Sequence, residues 1–170
     1  MRSRTEQWFE TKVRYDKTME DGQQKKVIEN YVVDALSFAE AEERITEEMS
    51  VYISGEFDVK AISPASYHEI FFSENANDDR WYKTKLQFIT MDEKTEKEKR
   101  SSVYYLVQAD SLNTAVKNVE KVMTGTMISY VIASINETQF MDVFEHKLKT
   151  AQQDDKPEYE QLEESGACMM

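Results

Sequence analysis

Cysteine, proline, glycine and histidine are all scarce in this 170-residue sequence. The one cysteine, Cys168, has no partner for an intramolecular disulfide, so a reducing, cytoplasmic setting is expected. The two histidines, His68 and His146, do not stand at helical ligand spacing from each other or from the cysteine, which argues against a nitrogen or sulfur metal site. Beside Glu69 and Glu145 they read as surface strand residues. Gly22, Gly55, Gly125 and Gly166 are too far apart to form a phosphate-cradling loop. No serine sits in a nucleophile elbow. The acid pairs Asp78–Asp79 and Glu42–Glu43 are adjacent in sequence, so their carboxylates diverge on a strand or a helix and read as solvated faces, not as acid/base pairs or magnesium ligands. No apolar run has signal-peptide or membrane-spanning length. The expectation is a soluble, non-enzymatic protein without catalytic residues, metal or cofactor.

Hydrophobic residues make up 40% of the chain and aromatics 11%, enough for a sizeable core. The net charge of −12 argues against a nucleic-acid partner when taken as an average, because phosphate binding is driven by Lys and Arg. The charge is uneven, however. Residues 154–170 carry six acids and the single base Lys156, whereas residues 1–18 carry five bases (Arg2, Arg4, Lys12, Arg14, Lys17) against three acids.

The chain also repeats itself. Trp8-Phe9-Glu10-Thr11-Lys12-Val13 is answered by Trp81-Tyr82-Lys83-Thr84-Lys85-Leu86 at an offset of 73, and these segments hold the only two tryptophans. Tyr31-Val32-Val33-Asp34-Ala35-Leu36-Ser37 is answered by Tyr105-Leu106-Val107-Gln108-Ala109-Asp110-Ser111 at 74. Phe38, Ala41 and Ile45 match Leu112, Ala115 and Val119, and Tyr67, Ile70 and Phe71 match Phe140, Val143 and Phe144. Residues 8–73 and 81–146 are thus two diverged copies of one unit.

Each copy reads as strand, strand, helix, strand, strand. The first strand alternates, with Phe9, Val13 and Tyr15 on one face and Trp8, Glu10, Lys12 and Arg14 on the other. Asp21-Gly22 signals a hairpin, and residues 92–98 form the corresponding turn. Second strands are expected at 26–35 and 101–109, where β-branched and aromatic residues dominate. Ser37 and Glu40 have capping-box spacing, and Phe38, Ala41, Ile45 and Met49 then form an apolar stripe beneath a face of acids. Asp110 or Ser111 caps the second helix, whose stripe is Leu112, Ala115, Val116, Val119 and Met123. Closing strands are expected at 55–63, 67–72, 127–135 and 139–144, with Pro64 marking a turn. The fold class is α+β: tandem pseudo-twofold ββαββ repeats at 1–76 and 77–150, antiparallel sheets each backed by one helix, and a disordered acidic tail at 151–170.

A second parse joins the closing strands of copy one to the opening strands of copy two and the second helix. That ββββα order resembles the whirly and Pur-alpha-type single-strand binders, whose sheets carry nucleic acid. The run from Trp8 to Tyr15, with Tyr31 to Phe38 and Glu47-Glu48-Met49, resembles the family catalogued as domain of unknown function 4494, known from gut Bacteroidetes and their phages. The resemblance covers most of residues 1–146. It implies a bacterial or phage cytoplasmic setting and brings no catalytic residues.

One constellation carries a chemical suggestion. The outward face of the opening strands sets Trp8 beside Lys12 and Arg14 in one copy, and Trp81 beside Lys83 and Lys85 in the other. Rings beside cations are how a surface stacks bases and follows a phosphate backbone, and Tyr104 and Tyr31 extend the set. Single-stranded DNA or RNA is the expected partner, provided the indoles face water. The alternatives are that both rings fill the joint between the copies, and that the protein is an acidic adaptor or DNA-mimicking inhibitor meeting a basic partner through Glu42, Glu43 and Glu47.

Overall fold

The computed structural model describes residues 7–145. The expected disordered tail at 151–170 therefore lies outside the described residues. The elements run β1 (Gln7–Thr18), β2 (Gln24–Ala35), α1 (Phe38–Tyr52), β3 (Phe57–Ala65), β4 (Glu69–Phe71), β5 (Arg80–Met91), β6 (Glu98–Ala109), α2 (Leu112–Thr124), β7 (Tyr130–Glu137) and β8 (Phe140–Phe144). Each copy is ββαββ, as its sequence pattern implies.

The helices start where the polar caps put them. Ser37 Oγ accepts from the Glu40 amide at 3.2 Å, and the Glu40 carboxylate reaches back to the Leu36 amide at 3.2 Å. Ser111 caps α2 in the same way, its Oγ accepting from the Thr114 amide. Ala41, Ile45 and Met49 of α1, and Ala115, Val119 and Met123 of α2, are buried on the sheets. Gly22 turns the first hairpin at φ +82°, in the left-handed region where glycine is at ease.

The fourth strands depart from two separate antiparallel sheets. The sheet orders are β3-β1-β2-β8 and β4-β6-β5-β7, so each copy completes its neighbour's sheet. β8 pairs parallel with β2, and β4 parallel with β6. Both short strands are apolar on two sides. Ile70 enters one buried cluster while its neighbour Phe71 packs on another, and Val143 and Phe144 divide likewise. A strand with two apolar faces needs cover on both, which is the usual lot of a parallel strand. The ββββα parse does not describe these sheets, because β3 pairs with β1 in the first one.

Pro64 sits inside β3, opposite Phe9, and not in a turn. β3 is an edge strand, and an edge leaves proline's missing amide harmless. A bulge at Lys60 in β3 has its counterpart at Ala133 in β7, since the register shifts between Lys12 and Val13 and between Lys85 and Leu86.

Three layers of core follow from strand alternation. Phe9, Val13, Tyr31 and Val33 face α1, while Leu86, Tyr105 and Val107 face α2. The opposite faces meet one another in a central cluster of Trp8, Val32, Tyr67, Ile70, Trp81, Leu106 and Val143. The helices lie outside, and the two sheets are joined by the faces they turn away from them.

Candidate nucleic-acid interface

The joint decides what becomes of the two tryptophans. Trp8 is 2% exposed and Trp81 1%, both inside the central cluster, and Phe72 meets the Trp81 ring edge-on at 5.5 Å. Strand alternation places them on the faces read from sequence, but those faces are covered at this end by the other sheet. The expectation that exposed indoles stack bases is overturned, because a ring closed off by Val32, Leu106 and Val143 offers no π-face to a ligand. Tyr31 also drops out: it is buried on the helix side, where it stacks on Phe144 at 5.6 Å.

At the rim of the joint the two copies carry opposite charges at equivalent positions, Glu10 and Lys83. Tyr67 lies between them. Its hydroxyl donates to the Glu10 carboxylate at 2.7 Å, and Lys83 Nζ stands 5.9 Å from its ring centre. Burial, then the Glu10 carboxylate, push the Tyr67 phenol well above its ordinary range.

Past the rim the helix-free faces open to solvent. In the second sheet, Lys85 of β5 lies directly opposite Tyr104 of β6, and Lys83 Nζ stands 5.1 Å from the Tyr104 ring centre. Tyr104 is 37% exposed. Arg100 lies on the same face, four residues along β6, held by Glu98 at 2.9 Å and Gln87 at 3.4 Å. Among the described residues neither Lys83 nor Lys85 is in an ion pair. This face thus combines one accessible ring with two lysines outside any ion pair, an Arg100 paired with Glu98, and the neutral Gln87, Ser102, Ser134 and Asn136.

The first sheet offers less. Lys12 is exposed, but its cross-strand neighbour is Asn30 where the second sheet has Tyr104. Arg14 is engaged by Asp58 at 3.3 Å, and Lys60 meets the same carboxylate at 3.7 Å. Beside Arg14 is a cavity of about 170 Å³ lined also by Tyr15, Asp16, Lys26, Glu56, Phe57 and Asp58, whose mixed charges suit water better than an anion. Of the six residues singled out in the sequence, the structure brings Lys83 and Lys85 together around a ring, leaves Lys12 and Arg14 without one, and buries Trp8 and Trp81.

Sequence reasoning missed Arg100. The signal was present: at the offset of 74 that relates β2 to β6, Arg100 answers Lys26, so both copies carry a base there. Elsewhere His68 is exposed and stacks on Tyr105 at 5.5 Å, as a surface residue beside a short strand. Among the described residues no three His, Cys, Asp or Glu side chains cluster as metal ligands, and no helix is long and apolar enough to cross a membrane.

The sequence model of the family described as Domain of unknown function (DUF4494) matches residues 7–146, and the chain belongs to that family. No curated protein matches it.

Proposed function

We propose that this member of the DUF4494 family is a non-enzymatic protein that binds single-stranded nucleic acid on the open, helix-free face of its second sheet. The observation that carries this reading is the placing of Lys83 and Lys85 beside the exposed ring of Tyr104, with Arg100 four residues along the same strand face. Tyr104 stacks a base, and the two lysines and the arginine follow the phosphates on either side. Because every base has a π-face, such a site tolerates most sequences. Lys12, exposed on the first sheet, extends the basic path. The net charge of −12 is compatible with this, since the acids of α1 lie on the outer layer, away from the face in question.

Fluorescence anisotropy of a labelled oligonucleotide at two salt concentrations tests the proposal. The expected result is binding that weakens with salt. Tyr104→Ala is expected to lower affinity by about 1–3 kcal/mol, roughly five- to 150-fold. Lys83→Ala with Lys85→Ala should flatten the salt dependence. Absence of salt-sensitive binding, or affinity unmoved by Tyr104→Ala, sinks it.

One observation favours a second reading, a protein partner of basic character. The only base of α1, Arg44, is turned inward to Asp34, which leaves Glu42, Glu43 and Glu47 exposed without a neighbouring cation on that helix. Binding of a basic protein that is lost in a Glu42→Lys, Glu43→Lys, Glu47→Lys variant, with no oligonucleotide binding, would establish this reading in place of the first.

A further inference from the structure

The edge strands β3 and β7 occupy equivalent places in the two sheets, yet their side chains differ in one direction. Counting from the matched strands, Thr18, Ser54, Gly55, Asp58 and Lys60 of copy one become Met91, Met127, Ile128, Val131 and Ala133 of copy two. All five residues of copy two are exposed, with Met127 fully so. The backbone draws them to one corner: the Ile89 amide donates to the Ser129 carbonyl at 2.8 Å, which carries the β5–β7 pairing past the strand's formal start toward Met91 and Met127.

Edge strands are ordinarily protected against pairing with another chain by Lys, by Pro and by bulges. β3 has all three, in Lys60, Pro64 and the bulge at Lys60, and adds the Asp58 carboxylate. β7 keeps the bulge and has neither Lys nor Pro, and its one charge, Glu137 at the end of the strand, is paired with Arg80 at 3.6 Å. Residues 127–136 hold no charge at all, in a chain of which 32% is charged.

We propose that this edge pairs with the same edge of a second copy, β7 against β7 in antiparallel fashion. An antiparallel strand pair has a local twofold axis, so a single uncharged edge is complementary to itself. Charge favours this occupant too. Two copies each bearing −12 repel over most of their surfaces, and an uncharged strip of ten residues is where they approach at least cost. The axis is perpendicular to the sheet, so the two second sheets merge into one eight-stranded sheet with both helices on one side. Met127, Ile128 and Val131 of each copy are then shielded by their counterparts.

Sedimentation velocity of the full chain, without nucleic acid, tests this. The wild type is expected at twice the mass of one chain, and Val131→Asp with Ala133→Lys, which gives β7 the charges of β3, is expected at the mass of one chain with unchanged far-ultraviolet circular dichroism. Hydrogen exchange gives a second reading on the unmutated protein: those amides of residues 130–136 that point away from β5 should lose protection on dilution, while those bonded to β5 and those of β1 keep theirs. A monomeric wild type, a dimer that survives the double substitution, or protection of the outward amides of β7 that ignores dilution each overturns the proposal. Oligonucleotide binding is measured separately on the monomeric variant, so the nucleic-acid reading stands or falls on its own.

Discussion

The two halves solve one structural problem with different chemistry. Each helix is tied to the end of its sheet by a side chain that donates to a backbone carbonyl at equivalent positions. In copy two, Asn118 Nδ2 donates to the Gln108 carbonyl at 2.8 Å, and the Gln108 side chain accepts from the Ser73 amide at 3.0 Å. In copy one, Arg44 donates to both the carbonyl and the carboxylate of Asp34, a fully buried acid. The arrangement in copy two is neutral throughout. That in copy one places an ion pair in the interior, where removing one partner costs far more than the intact pair contributes. The difference extends outward: with Arg44 turned in, α1 shows solvent an acidic face, while α2 carries Lys117 and Lys121 against Glu120 alone. Duplication fixed the architecture, and divergence then sorted acids to one half and an open basic-aromatic face to the other.

The halves are most alike at the joint between the sheets. Trp8→Ala and Trp81→Ala each leave a large void in the joint and should cost about 3–5 kcal/mol in urea denaturation. Neither should change oligonucleotide affinity in the protein that remains folded, and a loss of affinity from either would reopen the reading that these rings touch the ligand. Next come the tethers. Arg44→Met is expected to cost about 3 kcal/mol, because it strips a buried carboxylate of a charged donor, while Asn118→Ala should cost only about 1 kcal/mol for a neutral hydrogen bond. Grafting the neutral solution onto copy one, Asp34→Gln with Arg44→Asn, should recover most of the difference. Equal costs for the two single substitutions would erase the distinction drawn here.

The binding face gives a smaller contrast. Tyr104→Ala weakens oligonucleotide binding as stated above, whereas Asn30→Ala, at the equivalent place in copy one, should leave it unchanged, and Asn30→Tyr should strengthen it by less than the roughly 1–3 kcal/mol of a stacked base. The mildest test is alkaline. Tyr15 and Tyr31 both donate to Glu29, at 2.9 and 2.7 Å, while copy two has Phe88, Tyr105 and Val103 in the matching places. Burial, then the Glu29 carboxylate, push the Tyr15 phenol up to about 12 from 10.0 and raise Tyr31 further. A phenol whose folded value is raised stabilises the fold fully below pH 10 and loses that contribution as pH climbs toward 12, since the unfolded chain ionises first. Tyr15→Phe should therefore flatten the fall in stability above pH 10, and an unchanged profile would remove Tyr15 from the account.

Much of this architecture could be read from the residues. Paired tryptophans, matching apolar stripes and the two capping serines establish the repeat, because each is a local pattern with a local cause. Strand alternation even assigned Trp8, Lys12 and Arg14 to one face. Alternation says which residues share a face and nothing about what covers it, so the burial of both indoles was invisible until the sheets were placed together. The exchange of β4 and β8 was hidden for a related reason. Their partners lie far along the chain, and a short strand apolar on both sides does not say whose sheet it enters. The worth of Tyr104 depends on Lys83 and Lys85 reaching it across a strand, which is a matter of register.

That exchange bears on how the chain comes off the ribosome. The first sheet takes its last strand from residues 140–144, so β2 must wait for almost the whole described chain to be made before β8 can dock beside it. Until then its outer margin stays unzipped, and the nascent first half is an incomplete body that a neighbouring nascent chain can complete in place of its own. Crowded translation of this message would therefore favour tangled pairs whose halves are traded between polypeptides, and slower synthesis through the second half would worsen the exchange.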